Sequence, residues 1–131
     1  MIIDAGRDAL AKLIEGEDEL DDFTYIAYGS GTTAAEAADE DLESQTGSRA
    51  LATIKTMSIL KPDDTISFSA DFIATNLGSL TEIGVFTAAT EGIMLLRSLP
   101  IAPVSYKMGA TITVTAEVTV KNFEAGEGAH W

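Results

Sequence analysis

The chain has 131 residues, of which 21 are acidic and 8 are basic, so its formal net charge is −13 at pH 7. It therefore lacks the positive face that nucleic acid or an anionic membrane surface requires, and we expect neither as a partner. It contains no cysteine, which excludes disulfides, thiolate metal ligands and a cysteine nucleophile. The length predicts a single domain over residues 1–131.

The sequence gives no sign of membrane insertion or export. No apolar run approaches the roughly eighteen residues that a bilayer-spanning helix needs. The first residues also lack an apolar stretch followed by a small-residue cleavage site, so we expect no secretory signal.

The acidic residues are unevenly distributed. From residue 13 to residue 48 the chain carries eleven acids and no Lys or Arg. Such a block could be a calcium site, a repulsive solubilising surface or an adaptation to high salt. At molar salt the Debye length falls to about 3 Å, and dense surface acid then repels weakly, so a halophilic source is one interpretation.

The first predicted element is an amphipathic helix over residues 4–15. Apolar and small residues follow helical spacing there at Ile3, Gly6, Leu10, Leu13 and Ile14. Asp4 is the expected N-cap and Gly16 the expected stop.

Residues 23–28 alternate as a strand and run into a glycine-rich turn at 29–33. The following segment, residues 34–43, favours one short acidic helix or an irregular loop. Leu42 is its only large apolar residue, so either structure would have little to bury.

Two hairpins are predicted next. Residues 47–60 begin as a loop and become a strand, and a turn at 61–64 leads into a strand over 65–73. The second hairpin joins 81–86 to 92–99 through a turn at 88–91. Pro100 and Pro103 confine the segment that follows to an extended edge or a crossover.

The side chains of the strand at 65–73 should alternate between two faces. Inward positions are Ile66, Phe68, Ala70 and Phe72, and outward positions are Ser67, Ser69 and Asp71.

Residues 111–120 give the strongest strand signal, an unbroken period of two with β-branched residues on both faces. The core-facing positions are Ile112, Val114, Ala116, Val118 and Val120. The opposite face, Thr111, Thr113, Thr115, Glu117 and Thr119, would be wet or lie against a neighbouring subunit. The chain as a whole is predicted to be mainly β. It would form an antiparallel β-sandwich of about six strands over 23–120, with one N-terminal amphipathic helix. Residues 122–131 are predicted to be a flexible tail.

Candidate sites for chemistry are weak. The glycine-rich run at 29–33 lacks the Lys of a phosphate-binding loop, so a turn is favoured. The acids at 17–22 and 39–43 could bind calcium, but neither group has EF-hand spacing, and a solvated charge run is favoured. His130 has no evident catalytic or metal partner, whereas Trp131 could fill a pocket on a partner.

Three further charged residues lie on predicted strands. Asp71 and Glu82 could pair across the sheet, or serve a glycosidase as its two carboxylates, although strand carboxylates usually form the wet face. Arg97 is expected to pair with an acid such as Glu82, in the same sheet or across a subunit boundary. We therefore predict no catalytic, cofactor-binding or metal-ligating residues and no cofactor.

Four segments together resemble a diffuse group of short structural proteins from tailed viruses of bacteria and archaea. They are DAGRDALAKLI, FTYIAYGSGTT, LTEIGVFTAATEGIMLLRSL and TITVTAEVTV, and they cover residues 4–120. Members of that group often have Gly-Asp in the turn before the last strand, where this chain has Gly109-Ala110, so no role is transferred to an acid there. The group carries no catalytic residues.

The resemblance implies a non-enzymatic virion component that is assembled in the host cytoplasm. It would be a head turret or decoration protein, or a tail baseplate or fibre-base element. Expected partners are copies of itself, joined through β edges, and other capsid or tail proteins.

Three alternatives remain open at the level of sequence. A receptor- or carbohydrate-binding module would need an exposed aromatic platform, whereas Tyr25, Tyr28 and Tyr106 are scattered along the chain. A calcium-stabilised β-domain would use the acidic groups, and a small hydrolase would use Asp71 and Glu82.

Overall fold

The computed structural model describes residues 1–16 and 21–120, which form one helix and nine strands. The elements are α1 (Asp4–Glu15), β1 (Tyr25–Gly29), β2 (Ala50–Leu51), β3 (Thr53–Met57), β4 (Thr65–Ile73), β5 (Gly78–Leu80), β6 (Glu82–Phe86), β7 (Met94–Ser98), β8 (Val104–Tyr106) and β9 (Thr111–Thr119). The predicted class, mainly β with one N-terminal helix, is confirmed. The strands outnumber the predicted six because β2, β5 and β8 have only two or three residues each, too few to give a periodic signal.

All strand pairs are antiparallel, and they form three sheets that are consistent with a β-sandwich. The orders are β2-β1-β6-β7, β3-β4-β9 and β5-β8. Both predicted hairpins are confirmed, as β3-β4 and β6-β7. The main core draws its buried apolar side chains from both larger sheets, including Ile26, Tyr28, Val85, Leu96, Phe68 and Val114.

The alternation predicted for β9 is confirmed along most of its length. Ile112, Val114 and Ala116 are buried, and the threonines between them are exposed. The pattern ends at Val120, which lies one residue beyond the strand and is 66% exposed.

The inward and outward faces of β4 are less regular than predicted. Phe68 is buried as expected, but Ile66, the second residue of the strand, is 41% exposed. Ser67 is buried although it was expected to face outward. It is a small residue on the central strand of its sheet, opposite Lys55 and Glu117 on the two neighbouring strands.

The predicted turn at 61–64 is confirmed, and a carboxylate organises it. Asp64 accepts backbone N–H bonds from Ile59, Leu60 and Lys61 at 2.9–3.0 Å. These bonds favour the charged form and lower the pKa of Asp64 from 3.8 to about 2, and the bond from Ile59 has the largest effect.

Helix α1 packs on β7 through its smallest residue. A Cβ added at Gly6 would lie 2.2 Å from the carbonyl oxygen of Leu95, so only glycine permits this approach. The predicted stop is confirmed, since Gly16 adopts the left-handed conformation at φ 87° and its N–H donates to carbonyls of the last turn.

The prediction that Asp4 caps the helix is wrong. The N-cap is Ile3, which offers no side-chain hydrogen bond, and Asp4 is the first helical residue. Ile3 is fully buried, and its backbone N–H donates to Leu95 O at 3.2 Å. Pairing with β7 therefore fixes where the helix begins, and the Asp4 carboxylate is left near the positive end of the helix dipole.

Residues 30–49, here called the acidic loop, form an irregular connection between β1 and β2, so the loop alternative predicted for 34–43 is confirmed. The predictions for the tail at 122–131, for His130 and Trp131, and for the acids at 17–20 lie outside the described residues. The one helix of the described residues, α1, is too short and too polar to cross a membrane.

Candidate functional site

Among the fully buried polar side chains of the described structure, the carboxylate of Glu82, at the start of β6, makes the most hydrogen bonds. Oε1 accepts bonds from Arg97 Nε and Glu43 N, each at 2.8 Å. Oε2 accepts bonds from Gly31 N at 2.7 Å and Ser44 N at 2.8 Å. One carboxylate thus ties two strands to both arms of the acidic loop.

The partner cation is Arg97 on β7, whose side chain is 2% exposed. Gly84 lies opposite Arg97 in the β6-β7 register. Glu82 is two residues before Gly84, so Glu82 and Arg97 are diagonal neighbours on the same face of the sheet. The predicted pairing of Arg97 with Glu82 within one sheet is therefore confirmed. The guanidinium also bonds through Nη1 to Asp39 of the acidic loop at 3.2 Å, while Nη2 is buried without a hydrogen-bond partner in the described structure.

Two glycines of the 29–33 run bring the backbone against this carboxylate. A Cβ added at Gly29 would lie 2.7 Å from Glu82 Oε2, and one added at Gly31 would lie 2.3 Å from the same atom. Gly29 ends β1 and residues 30–33 are an irregular connection with no regular turn, and this connection has a specific use. It approaches an anion closely, as glycine-rich loops approach phosphates, but here the anion is the protein's own side chain.

The ionisation of the pair follows from these contacts. Burial alone would raise the pKa of Glu82, but the bonds from Arg97 and from the N–H groups of the acidic loop outweigh it and lower that pKa below its ordinary value. Burial likewise opposes the charged form of Arg97, and the bond to Glu82 outweighs it and raises the pKa of Arg97. Both groups are charged at neutral pH.

Other acids of the loop also bond to nearby backbone. Glu43 Oε1 accepts from Thr32 N at 2.9 Å and Thr33 N at 3.3 Å, and contacts with Thr33 and Thr32 lower the pKa of Glu43. Asp39 accepts from Glu36 N at 2.9 Å in addition to its ion pair. These carboxylates hold the loop's own conformation.

Arg49 closes the far end of the acidic loop, and sequence reasoning missed it. Its guanidinium lies 3.5 Å from the centroid of the Phe86 ring. Nη1 donates to the carbonyls of Ala88 and Glu91 in the β6-β7 turn, and Nη2 lies 3.6 Å from Asp41. The available signal was its position, since it is the single Arg between residues 8 and 96 and directly follows the acidic block.

The predicted pairing of Asp71 with Glu82 is wrong, because the two residues lie in different sheets. Asp71 is exposed on β4 and accepts a 2.6 Å bond from the hydroxyl of Thr113 on β9. Glu82 is buried, and its carboxylate already accepts four hydrogen bonds from the protein. The two carboxylates do not face a common site of the kind that glycoside hydrolysis needs.

The described acids among those considered for calcium are either bonded or exposed. In the ranges 1–16 and 21–120, no three His, Asp or Glu side chains come together as a group that could hold a metal ion. Asp21 and Asp22, the described part of the 17–22 run, are exposed.

The sequence suggested that the three tyrosines are scattered, but two of them lie together in the structure. Tyr28 is buried, and its ring meets Tyr106 edge-on at 6.0 Å and Phe72 at 4.9 Å between centroids. Burial, followed by the neighbouring Tyr106, raises the pKa of Tyr28. This cluster belongs to the core and offers no flat exposed platform for a sugar.

A shallow groove of about 380 Å³ opens between the N-terminal residues with β7 on one side and β9 on the other. Its lining includes Ile2, Ile83, Leu96, Ala116 and Val118. Glu117 is the one carboxylate that lines it, so the groove lacks a set of converging titratable groups.

The buried network therefore positions chain segments. Every bond that the Glu82 carboxylate makes goes to the protein, and no part of Glu82 reaches solvent. A comparison with models of known protein families finds no match, and a comparison with curated protein sequences also finds none.

Proposed function

We propose that this protein is a non-enzymatic structural component of a tailed virus particle, acting as a surface projection or accessory built from several copies of the chain. The observation that carries the proposal is spatial. Three of the four segments that resemble such proteins lie far apart in sequence, yet they pack side by side as α1, β1 and the β6-β7 hairpin.

The residues that hold this layer together belong to the same segments. Gly6 lets α1 approach β7, Glu82 and Arg97 join β6 to β7, and Gly29 and Gly31 fit the end of β1 around the carboxylate. A shared sequence pattern whose members contact one another supports a common structural unit. Because those contacts are buried, their role in the proposed function is to stabilise the packing of α1, β1 and the β6-β7 hairpin.

The exposed surface supports assembly with other chains. Large apolar residues are exposed on several elements of the described structure, among them Leu51, Ile54, Ile73, Leu77 and Met108. In an assembled particle such residues would be covered by neighbouring subunits.

The decisive experiment is to locate the protein in purified particles. Particles from a strain that encodes the chain would be banded on a density gradient and analysed by quantitative mass spectrometry. We expect the protein to follow the capsid proteins across the band at a constant ratio. Its confinement to fractions without particles would overturn the proposal.

Self-assembly can be tested separately with the purified chain. Light scattering coupled to size-exclusion chromatography would be run at about 0.1 M and about 1 M salt, between which the Debye length falls from about 10 Å to about 3 Å. We expect a multimer whose share rises at high salt, because a net charge of −13 repels between copies. A monomer at both salt concentrations contradicts the assembly part of the proposal.

A further inference from the structure

The outer edge of β9 presents unused backbone hydrogen-bonding groups. At the two ends of the β4-β9 pair, Val120 N donates to Asp64 O and Ala74 N donates to Ala110 O, each at 2.9 Å. Both pairs continue the β4-β9 register. Hydrogen-bonded pairs alternate with non-bonded pairs along an antiparallel ladder, so the even-numbered residues of β9 bond to β4.

The odd-numbered residues therefore direct their N–H and C=O groups away from β4. These residues are Thr111, Thr113, Thr115, Glu117 and Thr119. No backbone bond from any other described residue reaches them. The result is nine residues of strand whose outer donors and acceptors have no backbone partner among residues 1–16 and 21–120.

Within the described part of the chain the other long edges are protected, whereas no described segment covers this one. Residues 1–3 cover β7, with Ile2 bridged to Leu96 and backbone bonds linking Met1 to Arg97. The β3 edge has five residues and carries Lys55, a charge of the kind that discourages pairing. β9 is nine residues long and contains no Lys or Pro, and its pairing with β4 shows no bulge.

We propose that β9 pairs antiparallel with β9 of a second copy about a two-fold axis at Thr115, which joins two three-stranded sheets into one of six strands. This inference rests on the proposed function and names the contact through which copies associate. In this register Thr115 faces its own counterpart, and Thr111 faces Thr119. Glu117, the one charged residue of the strand, faces Thr113 and avoids its like-charged copy.

The geometry favours this occupant over the β3 edge of a second copy. β3 and β9 both run antiparallel to β4, so they are parallel to each other. A ring that joined β9 to the next copy's β3 would therefore use parallel pairing, which is slightly less stable per residue. It would also match nine residues with five and place Lys55 at the joint.

Single cysteines test the register, because the parent chain has none. Thr115→Cys would place two thiols across a hydrogen-bonded pair, with Cα atoms about 5.5 Å apart and within disulfide range. Thr113→Cys is the matched control. It is exposed on the same face, but the proposed register separates its two copies by about 14 Å.

Both variants would be oxidised with copper phenanthroline and compared on a non-reducing gel, after circular dichroism has verified their folding. We expect about tenfold more disulfide dimer from Thr115→Cys than from Thr113→Cys, because only the former meets the distance requirement. Equal cross-linking of the two variants, or cross-linking at Thr113→Cys alone, overturns the register.

Charge substitutions give a second readout. Thr113→Lys places a cation opposite Glu117 of the other copy and should preserve or strengthen the dimer in light scattering. Thr115→Glu brings two like charges together and should weaken it. The reverse ranking contradicts the pairing.

The two proposals fail differently. If the chain forms multimers in solution but Thr115→Cys does not cross-link, the β9 contact is refuted while the structural role stands. If the protein is absent from particles but Thr115→Cys cross-links selectively, the proposed function is refuted while the contact stands.

Discussion

Replacing Glu82 by Gln tests whether the buried carboxylate holds the acidic loop to the sheet. Gln has almost the same shape, but one of its two terminal atoms is an amide nitrogen, which is a donor. The four groups that surround the carboxylate are all donors. Whichever way the amide is turned, at least two of them lose their acceptor, and Arg97 loses its charge partner.

The expected loss is large because the ion pair and the bond from Gly31 are buried, while the bonds from Glu43 and Ser44 are partly buried. Glu82 is 0% exposed and Arg97 is 2% exposed. Removing one member of a buried ion pair costs about 3–5 kcal/mol, and each orphaned N–H costs about 1–3 kcal/mol where the structure cannot relax. Since the loop can relax, we expect a total near 4 kcal/mol, which corresponds to a fall in Tm of roughly 10–20 °C for a chain of this size.

Urea unfolding followed by circular dichroism measures the difference directly. The matched control is Glu117→Gln, the same chemical change on an exposed strand position, and it should alter the free energy of unfolding by less than about 0.5 kcal/mol. The double variant Glu82→Gln/Arg97→Met should recover part of the loss, because it removes the orphaned charge. A loss below about 1 kcal/mol for Glu82→Gln would refute the reasoning.

Three further predictions concern other positions. Val114→Asp buries an unpaired charge and should cost about 4 kcal/mol or prevent folding, whereas Thr53→Asp at an exposed position of β3 should cost less than about 1 kcal/mol in urea unfolding. Gly31→Ala pushes a methyl group into the buried carboxylate and should cost about 2 kcal/mol, while Ser30→Ala beside it should be nearly neutral in the same assay. Because the pKa of Asp64 falls from 3.8 to about 2 on folding, its stabilising effect is complete above its unfolded pKa and is lost as pH falls through about 2. The Tm gap between the parent and Asp64→Asn should accordingly shrink from pH 5 to pH 2, and a constant gap would contradict this.

Elements with a short-range cause were predictable from sequence. The period of two in β9 and the turn residues of the two hairpins are signals that extend over ten or fewer positions. The sequence pattern therefore sufficed to predict β9 as a strand and the pairing of strands within each hairpin. The stop at Gly16 is equally local, because one residue in the left-handed conformation ends a helix. Arg97 with Glu82 was predictable because a hairpin brings nearby residues together.

Features with a long-range cause were not predictable. The donors to Glu82 at Gly31 and Ser44 are separated from it by 51 and 38 positions and lie in a loop with no periodic pattern. The N-cap at Ile3 is set by pairing with β7 and not by a capping side chain. In both cases tertiary contacts override the local signal.

The hydrogen-bonded carboxylates also separate charge from the surface that is proposed to pair. The acidic loop carries five acids, and it is bonded to the four-stranded sheet through Glu82 and Arg97. β9 is the edge of the other large sheet and carries one acid. If the hydrogen bonds to Glu82 and Arg97 were lost, the acids of the loop would no longer be held against the four-stranded sheet. Their negative charges could then repel a second copy that pairs at β9. A variant that opens the loop should therefore weaken self-association as well as folding, and more so at low salt, where charges act over longer distances.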